Sequence, residues 1–139
     1  MVALVPDPAL KASLAGLCEH HGGVRLAVLF GSRARGVQQP TSDVDLAVEA
    51  PGVDPVALAA DLSKGLGGVV DVVDLSAATI PMMQALIQEG IVVFENRPGV
   101  AASWRSRTLA QLETDLPWYR RMRDAWLRQL AEHGFPDGQ

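Results

Sequence analysis

The 139 residues, of which 48% are hydrophobic and 20% charged, fit one globular domain and are too few for two independent cores. A net charge of −4 argues against binding nucleic acid by bulk charge, and the single cysteine, Cys18, excludes an internal disulfide framework. The apolar runs are far shorter than a membrane span, and the first residues lack the pattern of a signal peptide. We therefore expect a cytoplasmic protein with no membrane segment and no direct contact with nucleic acid.

Helices alternate with short apolar strands over the first 95 residues. Leucines at helical spacing, followed by two glycines, predict the first helix, and short β-branched runs predict the strands. Asp54 precedes Pro55 and is the expected N-cap of the second helix, and Gly90 is expected to end the third. The predicted order is a helix at 8–21, strands at 24–30 and 44–49, a helix at 54–66, a strand at 69–75, a helix at 76–89 and a strand at 91–95.

The character of the chain changes after residue 97. Apolar residues there recur every three or four positions and predict amphipathic helix, with Pro117 dividing or kinking it and Asp115 capping a second piece. Residues 97–128 contain seven arginines and three acidic residues. The arginines either lie on the solvent-exposed side of the helix or bind an acidic partner or phosphate. We therefore predict a core at 1–97 and a helical extension at 98–139 that packs on the core, on a partner or on both. All three tryptophans lie in this extension. We expect them to lie either in the core or in an interface with a partner.

Two aspartates at the start of a predicted strand form the most informative pattern. Asp43 and Asp45 are two residues apart, so both carboxylates point to one face of the strand. Val44 and Leu46 then point to the other face, into the core. Carboxylates this close repel each other unless a cation neutralises them, and hard oxygen ligands favour Mg²⁺ or Mn²⁺. The pattern therefore predicts part of a metal site.

A turn rich in glycine and arginine precedes these aspartates. Gly31 directly follows a predicted strand, where it permits a sharp turn and close backbone approach, and Ser32 offers an N–H and a hydroxyl. Free N–H groups in this turn would face an anion, and Arg33 and Arg35 add positive charge. The turn predicts a phosphate-binding loop beside the metal site, a combination that suits phosphoryl or nucleotidyl transfer.

A third carboxylate is expected from the strand at 69–75, where Asp71 and Asp74 compete. Asp71 lies between two valines in mid-strand, a position where aspartate is uncommon without a special reason. Asp74 lies at the strand end, where capping or turn roles are usual. We favour Asp71 for the site, and the role of Asp74 stays open.

Gly31, Ser32, Asp43, Asp45 and Asp71 together resemble the signature of the polymerase-β-like nucleotidyltransferase superfamily, and within it the minimal nucleotidyltransferase (MNT) group. The resemblance covers 24–95 and implies an α/β (α+β) fold with a mixed sheet of four to five strands and helices packed on one side of it. It implies transfer of a nucleoside monophosphate, with Asp43 and Asp45 holding two Mg²⁺ ions. Asp71 would join them and assist the acceptor hydroxyl, and Gly31 and Ser32 would hold the triphosphate.

Within that group, residues 70–96 are similar to MntA-type antitoxins of HEPN/MNT toxin–antitoxin pairs. The resemblance implies an adenylyltransferase that moves AMP from ATP to a tyrosine of a HEPN-domain ribonuclease toxin (HepT-like), in a hetero-oligomeric complex. Two alternatives stay open. The same site could modify a small molecule such as an aminoglycoside, or the chain could act as an antitoxin by occlusion alone.

Overall fold

The computed structural model describes residues 8–31 and 43–134. Within these residues, four α-helices and four strands follow one another along the chain. They are α1 (Pro8–His21), β1 (Leu26–Phe30), β2 (Val44–Glu49), α2 (Pro55–Leu66), β3 (Val70–Asp74), α3 (Ile80–Glu89), β4 (Ile91–Glu95) and α4 (Val100–His133).

Most predicted boundaries agree with these bounds to within two residues. The predicted helix over 76–89 is the exception, because a short 3-10 turn at Leu75–Ala77 precedes α3. The side chain of Asp74 accepts a hydrogen bond from the Ser76 N–H, and Thr79 accepts one from the Met82 N–H. Each residue caps its own helical segment, so the two segments stay separate.

The strands form one mixed sheet in the order β3-β2-β1-β4. β1 is antiparallel to both β2 and β4, whereas β2 and β3 are parallel. The Ser63 hydroxyl of α2 accepts a hydrogen bond from the Val70 N–H at 2.9 Å and so anchors the start of β3. The mixed sheet agrees with the predicted α/β fold, with four strands among the described residues.

Helices cover both faces of this sheet, so the expectation of helices on one side is wrong. α1 and α2 bury one face, where Leu14 and Leu58 pack with Leu46 of β2. α3 and α4 cover the other, where Leu86 and Trp104 belong to a second buried cluster. The physical reason lies in the central strands: successive residues from Leu26 to Leu29 are all 0% exposed, so both faces of β1 require cover.

Helix α4 runs without interruption for 34 residues, or about 51 Å at the usual rise. Pro117 lies inside it, so the predicted division at this proline, with Asp115 as an N-cap, is wrong. Proline removes one helical hydrogen bond, but Arg, Leu, Ala and Gln on both sides favour helix and continue it. The described helices include none that combines the length and the apolar character needed to cross a membrane.

The tryptophans of α4 fall into two environments. Trp104 is 7% exposed in the core, while Trp118 and Trp126 are 54% and 51% exposed. The last buried residue of the helix is Leu112. The first part of α4 therefore packs on the sheet, and the rest buries no residue fully in the described structure.

We expect Trp104→Ala to lower the free energy of unfolding by about 3–5 kcal/mol, because it opens a cavity beneath α4. Trp118→Ala is the matched control in the same helix, and it should change that free energy by less than about 0.5 kcal/mol. Urea unfolding followed by circular dichroism measures both values. Equal losses in the two variants would contradict this account of α4.

Candidate active site

The parallel pairing of β2 and β3 brings two aspartates side by side. Asp45 and Asp71 are direct partners in the register of these strands. Val44 and Leu46, which flank Asp45, are buried on the opposite face with α1 and α2. Asp45 and Asp71 therefore share the face that carries α3 and α4, as strand alternation predicts.

The three predicted carboxylates form one negatively charged cluster. Asp45 is half-buried, whereas Asp43 and Asp71 are exposed. Burial of the Asp45 carboxylate, the charge of Asp71 and the charge of Asp43 all raise the pKa of Asp45, in that order of size. No arginine, lysine or histidine within 8–31 and 43–134 forms an ion pair with any of the three. Among the described residues, the charge of the cluster is thus not balanced by a basic side chain, a condition that favours a bound cation.

Gly31, directly after the end of β1, lies against Asp45 of the cluster. Phe30 pairs with Asp45, and Gly31 follows with φ +78°. A Cβ atom at Gly31 would lie 2.5 Å from Oδ2 of Asp45, so any larger residue here would displace this carboxylate. The positive φ agrees with the sharp turn expected at Gly31, and its contact with phosphate stays a prediction. Ser32, Arg33 and Arg35 lie outside the described residues, so the phosphate-binding loop stays a prediction.

Asp74 has a local capping role. Its Oδ1 accepts hydrogen bonds from the N–H of Ser76 at 2.9 Å and from the hydroxyl of Ser76 at 2.8 Å. Val48, not one of the site aspartates, is its partner across the strands. The structure therefore separates Asp74 from the cluster and leaves Asp71 as its third member.

The three carboxylates are ligands that Mg²⁺ and Mn²⁺ prefer, and the phosphates of a substrate could supply further ligands. In the described part of the chain, no group of three or more His, Cys, Asp or Glu side chains can hold a metal ion by itself. Mg²⁺ is usually held by one or two carboxylates together with water and substrate phosphates, rather than by an all-protein cage. The paired Asp45 and Asp71, with Asp43 near them, match that requirement.

Sequence reasoning did not single out the other end of β2. Glu49 lies 3.5 Å from Nε of Arg25 and 4.0 Å from Nη2 of Arg107 in α4. Beside it, a cavity of about 320 Å³ is lined by Glu49, Leu86, Trp104 and Arg107, among others. Glu49 contacts residues far from it in sequence, so no local motif could have indicated this link between sheet and helix.

The class of protein to which this fold and carboxylate cluster belong follows from a family comparison. The family model described as "Polymerase beta, Nucleotidyltransferase" matches residues 13–98, a range that includes the whole sheet and all three aspartates. The chain belongs to this family.

One similar protein has a named activity. The chain is 38% identical over 71 residues to the protein adenylyltransferase MntA of Shewanella oneidensis, a match covering 48% of this chain and 51% of that protein. The chain thus spans about half the length of this relative.

Solved structures resemble the chain over more of its length. A chain in the crystal structure of a toxin–antitoxin with AMP-PNP has a TM-score of 0.71 and 24% identity, covering 84% of this chain and 98% of that one. A chain in the structure of a tri-AMPylated Shewanella oneidensis HEPN toxin with its MNT antitoxin has a TM-score of 0.65 and 21% identity, covering 84% and 95%. At these identities the likeness establishes a shared fold.

In metal-free protein at pH 7, we expect Asp45→Asn to raise the melting temperature. The pKa of Asp45 is raised in the folded state, so its ionised form costs stability above that pKa. The gain should disappear as the pH falls and Asp45 becomes protonated in both folded and unfolded protein. Thermal unfolding in EDTA, from pH 7 down to below 3.8, the ordinary pKa of aspartate, measures the effect.

The matched control is Asp74→Asn, the same substitution at the end of the neighbouring strand. Asparagine can also cap a helix, so this variant should gain no stability at pH 7. A melting temperature of Asp45→Asn at or below that of the wild type at pH 7 would contradict the charge analysis.

Proposed function

We propose that this protein is an antitoxin-type adenylyltransferase that moves AMP from ATP to a tyrosine hydroxyl of a cognate HEPN-domain ribonuclease. The observation that carries the proposal is the registered pair Asp45 and Asp71, with Asp43 close by, in a nucleotidyltransferase fold. The relative MntA is named a protein adenylyltransferase, and one similar solved structure holds a tri-AMPylated HEPN toxin. Both findings support a protein acceptor. The proposed use of ATP implies a cytoplasmic location.

The three aspartates are the proposed ligands of two Mg²⁺ ions, with Mn²⁺ as a substitute. The raised pKa of Asp45 and the absence of a side chain at Gly31 beside Oδ2 of Asp45 support this assignment. When bound, the ions would supply positive charge that stabilises the attacking and leaving oxygens. Between them, Asp43, Asp45 and Asp71 would hold both ions.

The proposed transfer forms one bond and breaks one. The tyrosine oxygen attacks the α-phosphorus of ATP, the bond from that phosphorus to the bridging oxygen of the β-phosphate breaks, and pyrophosphate leaves. Asp71 is exposed on β3, an edge strand of the described sheet, where an incoming hydroxyl can reach it. We assign its carboxylate to accept the hydroxyl proton as the new bond forms.

The triphosphate is assigned to the turn after β1. The backbone at Gly31 and the side chains of Ser32, Arg33 and Arg35 are the proposed contacts, because N–H groups and guanidinium groups bind phosphate oxygens. The conformation of Gly31 supports this, since its positive φ turns the chain beside Asp45.

The alternative that the chain blocks a toxin by occlusion alone accounts less well for the aspartate cluster. Burial and the charges of Asp71 and Asp43 raise the pKa of Asp45, so the ionised cluster opposes folding at neutral pH, and a chain that only covers its partner has no use for it. A small-molecule acceptor such as an aminoglycoside would use the same three aspartates, so the experiment must identify what is modified.

Co-expression with the HEPN ribonuclease tests the proposal. Wild-type protein should add whole AMP groups to tyrosine of the partner, whereas Asp43→Asn and Asp45→Asn should add none, because each removes a proposed metal ligand. Mass spectrometry of the partner and its peptides is the measurement. A partner silenced without any change of mass would favour occlusion, and an unmodified, active partner beside an adenylylated aminoglycoside would favour the small-molecule alternative.

Gly31→Ala tests the contact between β1 and Asp45, with Gly52→Ala as its control. Both glycines have φ +78°, so each alanine should cost about 1–2 kcal/mol of stability. A Cβ atom would meet Asp45 at Gly31 but nothing within 4 Å at Gly52. We expect AMP transfer to fall at least tenfold in Gly31→Ala and by less than twofold in Gly52→Ala. Equal transfer rates in the two variants would contradict a role for this contact.

A further inference from the structure

The second half of α4 carries apolar side chains that the described structure leaves uncovered. Trp118, Met122 and Trp126 are each more than half exposed, at 54%, 55% and 51%. They are four residues apart, so they form one stripe along the helix, which we call the exposed stripe. Apolar side chains grouped on an exposed surface often mark an interaction site.

The exposed stripe continues the side of α4 that packs on the sheet. Trp104, Thr108 and Leu112 are the buried residues of α4 and are also four residues apart. On a helix with 3.6 residues per turn, the centres of the two stripes differ by about 40°. One face of α4 thus packs on the core along its first part and exposes large apolar side chains along the rest.

The second half of α4 lacks the packing that usually stabilises a helix. Pro117 removes a hydrogen bond at its start, and no residue from 113 to 133 is buried. In proteins, most of the stability of a helix comes from tertiary packing of one of its faces. A partner that covers the exposed stripe would supply the missing packing.

The charge of this segment favours a different protein over a second copy of the chain. Residues 118–133 contain four arginines and two acidic residues, whereas 1–96 contain five basic and eleven acidic residues. A symmetric dimer through the stripe would place the four arginines of each copy beside those of the other, which like charges disfavour. A partner whose apolar face is bordered by carboxylates complements both the stripe and the arginines.

We propose that the exposed stripe of α4 docks the acceptor protein of the proposed function, through an apolar face bordered by carboxylates. This inference rests on the proposed function. The stripe contributes binding and takes no part in the transfer itself, so binding and chemistry can be separated by mutation. Tryptophan and arginine, which this segment concentrates, are the residues most enriched in the energetic centres of interfaces.

Calorimetric titration of the purified HEPN ribonuclease without ATP tests docking in the absence of transfer. Met122→Glu should weaken binding about thirtyfold or more, because it places a charge in the centre of the stripe. Trp118→Gln should also weaken it, and it introduces no charge. Ala131→Glu is the control, an exposed position on the opposite side of α4, and it should stay within threefold of the wild type. Hydrogen exchange of 118–133 should slow when the partner binds.

The outcomes distinguish this inference from the proposed function. If wild-type protein modifies the partner and Met122→Glu binds and modifies it equally well, the docking assignment is overturned and the proposed function stands. If the wild type neither binds nor modifies the partner, both fail. A wild-type dimer that Met122→Glu dissociates would assign the stripe to a second copy, and vesicle binding lost in Met122→Glu with partner binding intact would assign it to a membrane surface; either result overturns the proposal.

Discussion

The parallel register of β2 and β3 is the constraint on which the site depends. It places Asp45 directly beside Asp71, and a slip of one residue would move one carboxylate to the opposite face of the sheet. Backbone and side-chain contacts at the start of β3 fix this register: the Val44 N–H donates to the Val69 carbonyl at 3.0 Å, and the Val70 N–H donates to the Ser63 hydroxyl. Parts of the core without catalytic groups therefore determine the geometry of the carboxylate pair.

One face of β2 combines three roles along its length. Asp45 belongs to the carboxylate cluster, Ala47 is buried beneath α3 and α4, and Glu49 forms ion pairs with Arg25 and with Arg107 of α4. The ion pairs with Glu49 are partly exposed and contribute little stability by themselves. Burial of apolar side chains such as Trp104 therefore contributes more than these ion pairs to the attachment of α4 to the sheet.

Local sequence patterns predicted the elements and the carboxylate cluster, because strand alternation and residue type are sufficient for both. The choice of Asp71 over Asp74 is an example: the depletion of aspartate in mid-strand pointed to the residue that pairs with Asp45. Helices on both faces of the sheet were not predicted, since local alternation does not show which elements cover a central strand. The unbroken path of α4 through Pro117 was missed because strong helix formers on both sides outweigh one lost hydrogen bond. The contribution of Ser32, Arg33 and Arg35 stays a prediction.

The central claim is that the aspartate cluster transfers a nucleotidyl group, and the position of an isotopic label tests it most directly. Purified protein, the HEPN ribonuclease and Mg²⁺ would be incubated in parallel with ATP labelled at the α-phosphate or at the γ-phosphate. The account predicts that only the α-label enters the partner, that pyrophosphate is released in equal amount, and that Asp45→Asn abolishes both. Incorporation of the γ-label, or undiminished incorporation of the α-label by Asp45→Asn, would contradict it.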